Sequence, residues 1–315
     1  MKGLQRPSNN HSSPPMRIFL TGATGFIGSH ILPQLLAAGH QVLGLTRSDA
    51  GARALVQAGA EPHCGTLHDL DSLRAGAARA DAVIHTAFDH DFSNFVANCE
   101  KDRRAITALG GPLAGSDRPL IITSGTGMGA AEPGQTATED RFDARSPNPR
   151  VISEVTGAEM SAAGVKVVVM RLPQVHDTRK QGLITPLIEI ARQKGVSAYV
   201  GDGGSRWPAA HVSDVARLYC LVVEQGRAGE RFHAVAAEGV PVRDIAVAIG
   251  QGLGVPTVSL SVEQAAEHFG WMGMFAGMDS PASSAWTRER LGWRPEGPGL
   301  IADLHRMDYG VPAHA

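Results

Sequence analysis

The residues Thr21-Gly22-Ala23-Thr24-Gly25-Phe26-Ile27-Gly28 carry the strongest chemical signal in this 315-residue chain. Their glycines recur at every third position, between an apolar run that reads as a strand and a run of helical period. In that setting Gly22 permits a tight turn, Gly25 lets the backbone approach a pyrophosphate, and Gly28 lets the helix lie close to the strand. The helix start, with Thr24, Phe26 and Ile27 around it, then aims unpaired N–H groups and a positive dipole end at phosphates. A bare strand-to-helix turn needs glycines too. Here strand, helix and next strand fall in register, which favours a dinucleotide site.

The next strand ends in Leu45-Thr46-Arg47-Ser48. Domains that take NAD place an acid there for the ribose 2′-hydroxyl, whereas a cation suits the 2′-phosphate of NADP. Arg47, with Ser48 beside it and Arg53 about a turn further on, points to NADPH; the nearby Asp49 keeps NADH as the alternative. Proton carriers are sought among thirteen histidines, most of which serve on surfaces or as caps. His90 and His176 stand out because they follow strands at the sheet edge where this architecture binds ligands, and His211 is a third candidate. Cys64, Cys99 and Cys220 are scattered, and neither an HExxH motif nor a carboxylate array is present, so no metal is expected.

The elements that must position these groups alternate short apolar runs with helical stretches, the pattern of a parallel α/β sheet. Strands are expected at 17–21, 41–45, 61–64, 82–86, 120–123 and 166–172. Helices are expected at 26–38, 50–58, 70–78, about 94–109 and 151–163, with Gly39, Gly59 and Gly164 as left-handed stops. Further on, 182–194, 212–224 and 243–250 read as helical and 231–236 as a strand. Residues 255–294 read as irregular except for a short helix at 287–291. The expected fold is a Rossmann doubly wound parallel sheet over residues 16–177. Residues 178–315 form a smaller, mixed C-terminal substrate lobe interleaved with the core.

Residues 1–15 are polar and rich in Ser, Asn and Pro, and read as a disordered extension rather than a secretory signal, which needs an apolar stretch. Lys and Arg number 29 against 31 Asp and Glu, so no net field draws nucleic acid or an anionic membrane. No run is long and apolar enough for a membrane span. These features, with isolated thiols, place the chain in the cytoplasm, with a small-molecule substrate and room for a homodimer.

MRIFLTGATGFIGSHI resembles the opening of an extended short-chain dehydrogenase/reductase, and further matches follow in order. His85-Thr86-Ala87 ends the fourth strand, Ile122-Thr123-Ser124-Gly125 the fifth, and Met170-Arg171-Leu172-Pro173 the sixth. The later Gly201-Asp202-Gly203 and His211-Val212-Ser213-Asp214-Val215-Ala216 resemble the family's lobe segment. The resemblance implies that Leu67, His85, Thr86, Ala87, Thr123 and Pro173 join the glycine turn around the cofactor, and that Ser124 is the active-site serine. The family's Tyr-x-x-x-Lys pair is missing: Arg150 stands at the tyrosine position and Glu154 at the lysine. The two also have the spacing of a surface ion pair. Arginine donates no proton at neutral pH, so Arg150 acts only by polarising a carbonyl, and Ser124, His90, His176, His211 or water supplies the proton.

Phe88, Gln174, Trp207 and His211 are expected near the substrate. The aromatic segments around Trp207 and Trp271–Phe275 suit a small or hydrophobic carbonyl compound. The implied activity is NADPH-dependent reduction of a C=O or C=N bond by a tyrosine-independent route. The alternatives are a non-catalytic NADP-binding regulator and, third, a sugar-nucleotide epimerase or dehydratase.

Overall fold

The computed structural model describes residues 14–130, 132 and 134–310. Most of the extension expected at 1–15 lies outside the described residues. The chain begins β1 (Arg17–Thr21), α1 (Gly28–Ala37), β2 (Gln41–Thr46), α2 (Asp49–Gln57), β3 (Glu61–Cys64), α3 (Leu70–Ala78) and β4 (Ala82–His85). It continues through α4 (Phe95–Gly110), β5 (Pro119–Gly125), α5 (Val151–Ala162), β6 (Lys166–Leu172) and β7 (Gln174–His176). Next come α6 (Ile184–Lys194), β8 (Ser197–Val200), β9 (Arg206–His211), α7 (Val212–Gln225), β10 (Arg231–His233) and β11 (Ala237–Pro241). The rest is α8 (Val242–Leu253), β12 (Thr257–Leu260), α9 (Val262–Phe269), α10 (Gly273–Ala276), α11 (Ala285–Leu291) and α12 (Leu300–Arg306).

Seven strands form one parallel sheet in the order β10-β6-β5-β4-β1-β2-β3. The inner strands read as mostly apolar runs because helices cover both faces, whereas the edge strands β3 and β10 carry polar residues. Ile18 and Leu20 of β1 pack in the layer of α1 and α7, whereas Phe19 packs with the α3 and α4 layer. Ile121 and then Leu120 with Ile122 repeat that division on β5. Three helices stop in the same way: Gly39, Gly59 and Gly164 take positive φ, and the next N–H reaches back to a carbonyl five residues earlier. That is the Schellman arrangement, which satisfies helix-end carbonyls.

The chain order reverses between β1 and β4, so their carboxyl ends border the crevice where such sheets bind ligands. The second, smaller core gathers Ile184, Trp207, Ile245, Phe269 and Leu304, with the short sheets β11-β9-β7 and β12-β8. The two bodies interleave: α7 and Trp293 pack in the main core, and β10 extends the main sheet.

Differences from the expected elements lie mostly after β6. The strand expected at 231–236 ends at His233, and a separate strand, β11, follows. The segment 255–294 holds β12, α9 and α10, which were not expected, besides the expected short helix, observed as α11. Near the start, α1 begins at Gly28 rather than at residue 26, which leaves Phe26 and Ile27 in the turn.

Candidate active site

Each glycine of the first turn has a separate steric reason. A Cβ on Gly28 would lie 2.1 Å from the Gly22 carbonyl oxygen, so only glycine lets α1 start there. Gly22 has φ +70, and a Cβ would meet Thr86 Oγ1 at 2.7 Å and Ala87 N at 2.9 Å. A Cβ on Gly25 would meet only the Gly22 carbonyl, its oxygen at 3.1 Å, so the outer side of Gly25 is open. Gly25 N–H donates to Gly22 O and Ser29 N–H to Gly25 O, while no described residue accepts from the N–H of Phe26 or Ile27. Open glycine backbone, exposed Thr24 and free N–H groups at a helix start fit a pyrophosphate.

His85-Thr86-Ala87 lies against this turn. Thr86 Oγ1 donates to Thr21 O at 2.8 Å, and Ala87 N–H to Thr21 Oγ1 at 3.3 Å. Across the crevice edge Arg47 is exposed and has no side-chain partner among the described residues. Ser48 caps α2 by accepting from Gly51 N–H at 3.1 Å. Leu67 and Pro173 are half-buried, Leu67 against the α3 and α4 side of the core.

Behind the turn runs a buried polar chain. Thr21 Oγ1 bonds His85 Nδ1 at 2.7 Å, and His85 Nε2 donates to Asp102 Oδ1 at 3.0 Å. Asp102 Oδ2 accepts from Arg150 Nη1 at 2.8 Å and from Ser153 Oγ at 2.6 Å. Burial alone would raise the Asp102 carboxyl, but Arg150, His85 and Ser153 outweigh it and hold it at about 2. Arg150 Nη2 donates to the Thr123 carbonyl at 2.8 Å, and its guanidinium lies 3.9 Å over the Phe88 ring. The arginine is thus held from three sides, on the residue next to Ser124. Ser124 Oγ is only 3% exposed as a residue and has no hydrogen-bond partner among the described residues. A buried hydroxyl without a partner is costly unless a ligand completes it. A fixed guanidinium and an unused hydroxyl can together polarise a carbonyl oxygen and carry charge that develops on it.

None of the three tyrosines replaces the absent phenol at this place. Tyr219 comes nearest the strand end, with its OH 2.6 Å from Thr123 Oγ1. Thr123 and Ser124 point to opposite faces of the sheet, so Tyr219 serves the other layer. It is fully buried, which pushes its pKa well up.

Two expected catalytic groups are elsewhere. Glu154 is not paired with Arg150 and does not face the crevice. It is wholly buried, accepting from Arg171 Nε and Nη2 at 2.8 Å each and from Arg231 Nε at 3.1 Å. Arg171 in turn donates to the carbonyls of Thr138 and Arg141, so Glu154 anchors the segment that leads to α5. His176 is 1% exposed, with Nδ1 2.8 Å from Asp303 Oδ2, and no substrate proton is within reach of a ring so enclosed. Burial lowers its pKa, against the pull of Asp303.

His90, by contrast, is exposed at the crevice mouth although crowded on most sides. Burial first, then the charges of Arg150 and Lys180, lower its pKa. Of the expected substrate residues, Phe88 stands beside Arg150. Trp207 does not contact the crevice: it is buried, and its Nε1 donates to Met278 O at 3.0 Å. Gln174 holds the 177–183 loop by accepting from Leu183 N–H at 2.9 Å. His211 caps α7 by accepting from Ser213 N–H at 3.3 Å.

Comparison with known proteins gives a consistent picture. The profile of the NAD dependent epimerase/dehydratase family matches residues 18–236. An uncharacterized protein of Schizosaccharomyces pombe is 47% identical over 290 residues, 92% of this chain and 98% of its own. An uncharacterized protein of Saccharomyces cerevisiae is 40% identical over 300 residues, 94% of this chain and all of its own. Relatives at 24–28% identity include a decarboxylating sterol-4-alpha-carboxylate 3-dehydrogenase, a ketoreductase and a 2-alkyl-3-oxoalkanoate reductase, as well as a UDP-glucose 4-epimerase and a dTDP-glucose 4,6-dehydratase. Among solved structures, the Thermus thermophilus UDP-glucose 4-epimerase in complex with NAD superposes with a TM-score of 0.72 at 21% identity. That match covers 94% of this chain and 99% of the other, and the likeness is one of fold.

Proposed function

Because the chain belongs to the NAD dependent epimerase/dehydratase family, we propose that it is a nicotinamide-dependent reductase of a small or hydrophobic carbonyl compound, or of an imine. The observation that carries this reading is the fixed Arg150 guanidinium beside the unpartnered Ser124 hydroxyl, where the family has its phenol and serine. The turn at Gly22–Gly28 holds the pyrophosphate. Arg47, an unpaired cation at the end of β2, favours NADPH over NADH.

A nicotinamide cofactor bound at this turn would supply the hydride. Arg150 and Ser124 bind the carbonyl oxygen and stabilise the charge that builds there. Asp102 keeps the guanidinium oriented, and Phe88 covers one of its faces. One proton completes the alcohol, and His90 at the mouth delivers it from solvent. Epimerisation and dehydration in this family lean on the tyrosine that Arg150 replaces, which ranks those reactions third.

The test is NADPH absorbance against a panel of ketones, aldehydes and imines. Oxidation of NADPH that depends on one of them supports the reductase. Tight NADPH binding with no oxidation against the whole panel gives the regulator reading instead.

A further inference from the structure

Five aromatic side chains form one wall that starts at the candidate site. The Arg150 guanidinium lies 3.9 Å over the Phe88 ring. Phe88 meets Phe95 edge-on at 6.3 Å, and Phe95 meets Phe92 at a tilt at 5.4 Å. Phe92 stacks on Trp271 at 4.9 Å and 13°, and Phe275 stands edge-on to Phe92 at 6.2 Å and to Trp271 at 6.3 Å. The segment after β4 and the segment around α10 therefore share one continuous surface.

That surface is open to water. Phe88, Phe92, Phe95 and Phe275 are half-buried, and Trp271 keeps 46% of its surface exposed. In the two cores large rings behave otherwise: Phe19, Phe232, Trp207, Trp293 and Tyr219 are at most 2% exposed. A contiguous apolar surface left uncovered marks a binding site. Its continuity with the half-buried Arg150 ties it to the carbonyl site, which favours a small molecule over a second protein. Trp271 gives one face to Phe92, and the exposed remainder of its ring offers a flat surface to another ring. Ring pairs gain from the attraction of their quadrupoles beyond burial of area, which a saturated ring does not.

We infer that the substrate class is an aryl ketone or aryl aldehyde, and that Trp271 is a specificity-determining residue. The carbonyl sits at Arg150 and Ser124, and the aryl group, joined to it by a short chain, packs on Phe92 and Trp271. The carbonyl half of this statement rests on the reductase reading; the aryl half does not.

The experiment is calorimetric titration of the full chain, with NADP⁺ present. The probes are 4-phenylbutan-2-one and 6-phenylhexan-2-one, each beside its cyclohexyl counterpart. Burial alone favours the saturated ring, which is the more apolar. The phenyl compound is nevertheless expected to bind about fivefold more tightly at one chain length at least, the scale of one aromatic pair. Trp271→Ala should abolish that preference and Trp271→Phe should keep most of it. Trp286→Ala, which removes the exposed ring stacked on Phe232 of β10, should leave it unchanged. No phenyl preference at either length, binding of none of the four, or a preference that survives Trp271→Ala overturns the inference. Should Trp271→Ala alter sedimentation while the preference survives, the wall is a contact between copies of the chain. NADPH oxidation is followed with the same four compounds. A phenyl preference in binding with no oxidation leaves the aryl assignment standing and removes the reductase reading alone.

Discussion

Arg150 and Asp102 meet at 2.8 Å although Asp102 lies within α4 and Arg150 precedes the first residue of α5, and Asp102 is 1% exposed. The pair makes Arg150 a fixed electrophile rather than a mobile surface side chain. Arg150→Ala should therefore lower turnover by about a hundredfold, the scale of one lost oxyanion donor, with NADPH affinity little changed. Asp102→Asn should cost turnover through loss of orientation and also about 3 kcal/mol of stability, because it unpairs a buried charge. Steady-state kinetics and urea titration check both. Wild-type rates in both variants remove Arg150 from the mechanism.

Ser124→Ala tests the other half of that site. Turnover should fall while NADPH affinity stays within about twofold, since only the transition state loses a hydrogen bond. Because Ser124 Oγ has no described partner, the alanine variant should be as stable as the wild type or slightly more so. Unchanged turnover would show that the hydroxyl waits for something other than the carbonyl.

Arg47→Ala should weaken NADPH binding by roughly 1.5–3 kcal/mol, as for a charged hydrogen bond, and leave NADH binding nearly unchanged. Fluorescence titration with each cofactor decides it. An equal loss for both means that Arg47 does not read the 2′-phosphate.

His90 sets the expected pH profile of turnover. Its pKa is lowered from 6.5, first by burial and then by Arg150 and Lys180, so activity should fall as pH rises through a value below 6.5. His90→Phe should remove that limb. A profile governed by an alkaline, phenol-like limb contradicts this proton route.

His233 gives a stability prediction with a defined sign. Its Nδ1–H donates to Ser283 O at 2.8 Å, and Nε2 accepts from Arg171 at 3.2 Å, so the neutral ring fits and the charged ring does not. Burial and then Arg171 depress its pKa from 6.5 to about 3. The unfolded chain therefore takes up this proton first as pH falls. Stability present above pH 6.5 is lost at up to about 1.4 kcal/mol per pH unit until about pH 3. His233→Gln should flatten that slope in urea titrations between about pH 6.5 and 4.5. An unaltered slope assigns it to other groups.

The sheet was legible because its inner strands are mostly apolar runs and several of its helices end in glycine, as at Gly39 and Gly164. The glycine turn was legible for the same local reason. Asp102 was not: it sits in Glu100-Lys101-Asp102-Arg103-Arg104, which reads as a solvated face, and only the packing of α4 against α5 buries it. Glu154 was read from its place in the family's helix pattern and its spacing from Arg150, and its true partners on β6 and β10 are 17 and 77 residues away. The helix α9 did carry a signal that was passed over. Ser261 and Gln264 form a capping box at its start, in a segment read as irregular.

The Glu154–Arg171 pair has a bearing on which substitutions the site tolerates. A lysine at 154 would put a third cation between Arg171 and Arg231 in place of the anion that holds them. Unpairing a buried charge costs about 3–5 kcal/mol, much of the 5–15 kcal/mol that holds a typical domain folded. A tyrosine at 150 would likewise leave Asp102 without its guanidinium. Each of these two buried pairs therefore resists substitution of one partner alone. Residues 154 and 171 are expected to tolerate exchange only in concert, and so are residues 150 and 102.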